Sequence, residues 1–348
     1  MTSSVEATAP TPPVGVIESL AQGFETVAGR LVLLLLPLLL DLALWVGPRI
    51  DYQPALQEAY RQFVDGSEML LAQDDEALRS SWTTLADSFA EVARSTPISH
   101  LPLVGFPTLL ASRPVEHLPF RLTPPTWEVK HASGALAARA AALGIGILVS
   151  CVYLALIAGE VRDHQIKVGR IMRRLPITVM QVLLLLVLVA GVAITLLAPF
   201  LLIGGRLSLA SGFMAQVGGF ITLTGAVVLL WVAMFAVFTI HGLLLHERSL
   251  PGAIWDSIRV VQWNTAPTFV FILLSLIISW SLTRFIWSQP DTGSWLVLVG
   301  IGGHAFISTG LITASFIFFK DRYRYWQEMR AELLAELERR RAEYHRQG

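Results

Sequence analysis

The chain has 348 residues, 54% of them hydrophobic and 15% charged, with 26 basic side chains against 26 acidic ones. An average soluble domain carries about 25% charged residues, so this deficit, with a mean hydropathy of +0.59, argues for burial in lipid or in a helix bundle. A formal net charge of zero excludes a nucleic-acid partner held by charge, and the single cysteine, Cys151, excludes an intrachain disulfide.

Residues 1–30 read as a cytoplasmic segment. Val16, Leu20, Phe24 and Val27 recur at helical spacing within it, which predicts an amphipathic helix lying in the headgroup region. The first apolar stretch, Leu31–Gly47, follows. It is preceded by Glu6, Glu18 and Glu25 against Arg30 alone and is followed by Trp-Val-Gly-Pro-Arg. A cleaved signal needs a basic start and a small-x-small site, so this stretch reads as a retained transmembrane helix.

Residues 48–133 form the one sizeable extramembrane segment. Pro54–Phe63 and Glu76–Ala93 read as amphipathic helices, the second carrying Leu78, Trp82, Leu85, Phe89 and Val92 on one face. A proline-rich stretch from Pro97 to Pro125 contains the apolar run Leu101–Leu110, too short to span. This segment is expected to cap the bundle on its extracytoplasmic side.

Five further apolar stretches lie within 134–319: Gly134–Ala158, Ile177–Ile203, Ala215–Leu245, Ala266–Trp287 and Gly293–Phe319. Each is long enough to cross a hydrocarbon core of about 30 Å. In lipid, a helix or a closed barrel alone satisfies its own backbone. The expected fold is therefore all-α, a polytopic membrane protein of six transmembrane helices in three hairpins.

Lys and Arg placement orients those helices. Segment 159–176 holds five, 246–265 two and 320–348 eight, whereas 204–214 holds one and 288–292 none. Both termini are thus expected on the cytoplasmic side. Two more mixed segments, Ile166–Leu175 and Ala253–Trp263, precede the third and fifth spans and read as cytoplasmic interfacial helices like the first. The tail Lys320–Gly348 is a charged helix with a Glu336/Arg340 pair at i,i+4.

Ionisable groups inside spans cost roughly 2.5–3.5 kcal/mol at the helix centre on insertion scales and are functional candidates by default. Here these are Asp41, Arg139, Arg284 and His304, all in the outer half or near the midplane. They suggest either an outward-opening polar site or a structural pairing of Asp41 with Arg139 or Arg284. The glycines around His304 suit either an unwound, ion-coordinating stretch, as in broken transporter helices, or, as the favoured reading, close helix packing. Gly134, Ala138, Ala142, Gly146 and Ser150 recur every four residues and predict a stripe for helix packing, against another span or a second copy.

No zincin spacing, nucleophile elbow, phosphate-binding glycine loop or paired cysteines occur in the sequence. It therefore points to a non-enzymatic protein needing no metal or cofactor, with the lipid bilayer and another membrane protein or second copy as partners. Residues 249–269, Ser-Leu-Pro-Gly-Ala-Ile-Trp-Asp-Ser-Ile-Arg-Val-Val-Gln-Trp-Asn-Thr-Ala-Pro-Thr-Phe, resemble the linker of bacterial six-helix membrane proteins. These include the membrane domain attached to some glycerophosphodiester phosphodiesterases. The resemblance implies a prokaryotic plasma-membrane protein; no phosphodiesterase domain accompanies it. A transporter or channel for a small solute or lipid, with its site around Asp41, is the competing expectation.

Overall fold

The computed structural model describes residues 12–51, 54–59, 61–62, 107–110, 115, 117–119, 125–208 and 212–347. The second helix expected in the extramembrane segment, Glu76–Ala93, lies outside them. In chain order the elements are α1 (Val16–Gly29), a 3-10 turn (Leu31–Leu34), α2 (Leu35–Val46), β1 (Arg49–Asp51) and β2 (Thr126–Glu128). There follow α3 (Ala132–Asp163), α4 (Val168–Ser208), α5 (Phe213–Ala236), α6 (Thr239–Leu245), α7 (Leu250–Trp263), α8 (Thr265–Leu282), a π-helical turn (Thr283–Trp287) and α9 (Val297–Gln347). β1 and β2 form a short parallel pair, with Ile50 opposite Trp127.

Among the described residues five helical segments are long and apolar enough to cross a membrane: Ala132–Asp163, Val168–Ser208, Phe213–Leu245, Thr265–Trp287 and Val297–Tyr344. The count reaches six when Val16–Gly29 and Leu31–Val46, separated at Arg30, are taken together as one span. Leu31–Val46 by itself is shorter than a full crossing, and it meets Val16–Gly29 at a bend of 92°. Of the three expected interfacial helices, α1 and α7 form as separate helices. The middle one does not. Residues 168–175 are the first turns of α4, which continues unbroken through Pro176 and Pro199. The charged tail likewise continues α9 without a break.

The chain divides into two compact units. The first comprises Met1–Arg30, Leu154–Ile277 and Gly310–Gly348. Within it α1 buries Ser19, Leu20, Gly23 and Val27 while Ile17 stays exposed. Its buried stripe packs on α9, where Gly23 crosses Gly310 and Ala314 and the Phe24 ring crosses Gly310. Glycine is required there because a Cβ at position 23 would sit 2.5 Å from the Ala314 Cβ and 2.6 Å from the Gly310 carbonyl oxygen. The α4–α5 hairpin closes in the same way: a Cβ at Gly204 would lie 2.8 Å from the Gly218 carbonyl oxygen, and one at Gly225 would meet the Phe200 ring. Just before α5, Gly212 takes φ 66°, a conformation open to glycine at little cost.

The break between α5 and α6 exposes backbone groups that buried Ser257 of α7 satisfies. Its hydroxyl accepts from the Phe238 amide at 3.1 Å and donates to the Phe235 carbonyl at 2.7 Å. Phe238, Phe318, Phe319 and Tyr323 stack beside it as an aromatic core. Arg259 of α7 lies between the Trp255 ring and the Trp326 ring of α9, 5.0 Å from each, an arrangement suited to a membrane–water interface.

The second unit comprises Leu31–Tyr153 and Ile278–Thr309. Its core gathers Trp45, Leu109, Leu110, Val115, Val297 and Ile301. In α3 the expected small-residue stripe is the inward face: Gly146 and Ser150 are buried and Gly134, Ala138 and Ala142 half-buried, whereas Leu136, Ile145 and Leu148 are exposed. In α9, Gly300 and Gly303 admit Trp287, which a Cβ at either position would strike. The helix stays regular there, so these glycines serve packing.

Replacing Gly23 by alanine is expected to force α1 and α9 apart and cost about 1–3 kcal/mol, read as a lower melting temperature of the full chain in detergent. Gly29→Ala, with open space around its new Cβ, stays within about 0.5 kcal/mol of the parent.

Candidate functional site

Asp41 is fully buried on α2. Its two carboxylate oxygens accept from the Leu109 amide at 3.1 and 3.0 Å, and Oδ1 also accepts from the Leu110 amide at 3.1 Å. The segment carrying those amides has no helix or strand of its own at 107–110, so its donors need an outside acceptor. One turn further along, the Trp45 indole donates to the Thr292 carbonyl at 2.8 Å and meets Trp295 edge to face. Asp41 is therefore the anchor by which Leu109 and Leu110 dock on α2.

The structure does not bring the four sequence candidates together. Among the described residues neither Arg139 nor Arg284 forms an ion pair, with Asp41 or any other carboxylate, and both are exposed. Arg284 sits on the π-helical turn. His304 is buried between the Thr283 hydroxyl at 3.2 Å and the Ser308 hydroxyl at 3.5 Å. The expected Asp–Arg pairing is replaced by carboxylate–amide bonds, because the buried amides of a loop are nearer and cannot be solvated otherwise.

Sequence reasoning missed a larger polar cluster in the other unit. At the end of α3, Arg162 pairs with Asp163 (3.3 Å) and with Glu247 (3.1 Å), and Glu247 also takes Arg174 of α4 at 2.7 Å. Arg170 joins Asp163 at 3.1 Å. The result is an alternating ladder, Arg170–Asp163–Arg162–Glu247–Arg174. Glu247 adopts φ 53°, unusual for a residue with a side chain, and in that conformation it reaches both arginines. Next to it Arg248 faces Asp256 at 3.3 Å and donates to the Tyr323 hydroxyl at 2.9 Å. Burial holds the Asp256 carboxyl above the usual carboxylate range, and Arg248 opposes that shift. The ladder borders a cavity of about 290 Å³ walled on its other side by Ile171, Leu175, Leu243 and Leu244.

The signal for this cluster was present as the five cations of segment 159–176 and the His246-Glu247-Arg248 triplet. Counting them only as orientation charges hid their convergence. Chemically the arrangement offers guanidinium donors to an anion beside an apolar wall. Among the described residues no group of three or more His, Cys, Asp or Glu gathers to hold a metal. No family model matches the chain, and no curated protein or solved structure matches it.

His246 ends α6 and stacks on the Tyr323 ring at 4.2 Å. Burial pushes it down from its ordinary 6.5 to about 4, and the positive charges of Arg248, Arg162 and Lys320 add to the shift. As pH falls from 6.5 towards 4 the unfolded chain takes up this proton before the folded one, so stability is lost across that window. His246→Phe keeps the ring and removes the titration. Its melting temperature relative to the parent should rise as the buffer is taken from pH 7 to pH 5, whereas an offset constant with pH would show that His246 does not contribute.

Proposed function

We propose that this chain is a non-enzymatic, multi-pass plasma-membrane protein acting as a scaffold or assembly subunit. On this reading six spans form three hairpins with both termini cytoplasmic, the orientation that the Lys and Arg distribution favours. The observation that carries it is the engagement of the Asp41 carboxylate by the Leu109 and Leu110 amides. A transport site around Asp41 would need that carboxylate free for a solute or a proton; here it closes the outer segment down.

The outward faces support the same reading. In the apolar windows of α4, of α5–α6 and of α8 with its π-helical turn, 6%, 11% and 6% of residues are buried. Large side chains such as Leu184, Val187, Leu223, Leu230 and Leu276 stand exposed. Such faces require lipid or the spans of a neighbouring protein, and a scaffold would use them for both. The linker resemblance at Ser249–Phe269 fits the same class of bacterial membrane protein.

The test uses a Cys151→Ser background with a cysteine at Leu42, which packs on the outer core, and a membrane-impermeant maleimide applied to intact cells. Position 42 should stay unlabelled with Asp41 intact and become labelled in Asp41→Ala. Labelling with Asp41 intact would instead support a water-filled outer cavity and overturn the scaffold reading. Isolation in mild detergent supplies a second readout. The chain is expected with a second copy or another membrane protein, and a solitary monomer would also overturn the proposal.

A further inference from the structure

The cavity between the end of α3, the first turns of α4 and the segment after α6 has a composition that selects its occupant. Four guanidinium groups, from Arg162, Arg170, Arg174 and Arg248, line it against the single carboxylate of Glu247. Asp163 and Asp256 adjoin it through their ion pairs, still leaving one positive charge in excess. Lys320, whose ammonium donates to the Val161 carbonyl at 2.6 Å, enlarges that excess.

The arginines also keep donors in hand. Arg170, Arg174 and Arg248 have side chains 39%, 47% and 50% exposed, and each guanidinium carries five N–H groups. The internal pairs occupy only some of them. A planar fork with free N–H groups matches phosphate oxygens.

The apolar wall decides between kinds of phosphate. Leu243, Leu244, Leu175 and Ile177 face the same cavity. From Ile177 an exposed apolar track continues up α4 through Met180 and Leu184 to Leu188, at the i+3/i+4 spacing that keeps residues on one helix face. A free phosphate ion has no use for that track; an acyl chain does. A volume of about 290 Å³ lies at the lower end of ligand pockets, roughly 300–1,000 Å³, large enough for a headgroup. Basic pockets between spans on the cytoplasmic side are recurrent sites for anionic lipid headgroups.

We propose that this arginine-lined cavity binds the phosphate of an anionic phospholipid, with one acyl chain running along the Ile177–Leu188 face of α4. The proposal rests on the scaffold reading only for the cytoplasmic placement of the cavity. Its test is separate, so position 42 can be labelled or unlabelled without touching the result.

Full-length protein in detergent would be titrated with palmitoyl-oleoyl phosphatidylglycerol or with phosphatidylcholine of the same chains, and adducts counted by native mass spectrometry. Phosphatidylglycerol should be retained several-fold more than phosphatidylcholine, and loss of lining arginines should bring that ratio close to one. Arg170→Gln/Arg174→Gln is the main variant, and Arg248→Gln repeats the measurement from the other wall should the pair impair folding. Arg173→Gln, whose residue does not line the cavity, should leave the preference unchanged. Equal retention of the two lipids by the parent would overturn the proposal, as would an Arg173→Gln effect as large as that of the lining variants. Displacement of phosphatidylglycerol by millimolar inorganic phosphate would assign the site to a free anion and overturn it too.

Discussion

A backbone amide or carbonyl surrounded by apolar side chains or lipid has to be hydrogen-bonded, and each unmet group costs several kcal/mol. In this protein that requirement assigns work to the scarce polar side chains. Asp41 takes the amides of a loop, Ser257 closes the break between α5 and α6, and Trp45 satisfies the Thr292 carbonyl. Lys320 caps the end of α3 through the Val161 carbonyl, and Arg322 reaches the Val14 carbonyl ahead of α1. These bonds lie where a helix stops or a loop is enclosed, and the regular interior of each long helix needs none of them.

Magnitudes explain why Asp41 can be a structural group. A central aspartate costs roughly 2.5–3.5 kcal/mol to insert. Hydrogen bonds involving a charged group contribute about 1.5–3 kcal/mol each. Two donating amides therefore offset the insertion cost, with no cation required. An ion pair with Arg139 or Arg284 would have left the Leu109 and Leu110 amides unmet and carried that penalty in addition.

Hydropathy located the long helices because a helix in lipid is read one segment at a time. The same local signal located α1 and α7, whose apolar faces repeat at 3.6 residues. It erred at residues 168–175, read as a separate interfacial helix: α4 begins there and runs on through Pro176, since proline is tolerated where the freed carbonyl finds another donor or faces water. Tertiary partners were not legible. Asp41 and Leu109 stand 68 residues apart, and a carboxylate among apolar residues suggests an arginine before it suggests a loop amide. Gly23 carried no mark distinguishing it from Gly29, because only the crossing of Gly310 and Ala314 makes its missing Cβ necessary. The arginine ladder was visible as charge and invisible as geometry, because its rungs come from three separate segments.

The distribution of polar chemistry along the helices bears on what kind of work the protein does. Three bonds between the long helices pair a hydroxyl with another hydroxyl or with an imidazole: Tyr153 donates to Thr309 at 2.8 Å, His304 meets Thr283, and His241 meets Ser315 at 2.8 Å. The Ser315 hydroxyl already donates to the Ile312 carbonyl at 2.6 Å, so the proton in the last pair belongs to His241 Nε2. That bond fixes a neutral tautomer in an aromatic surround. The clustered charges instead sit at helix ends, where water and headgroups screen and compete for them. A path for ions or protons needs polar groups that continue from one end of a span to the other. Isolated neutral pairs hold helices in register without linking the ends. Charge concentrated at the termini of α3, α4 and α6 is where the proposed phospholipid site lies.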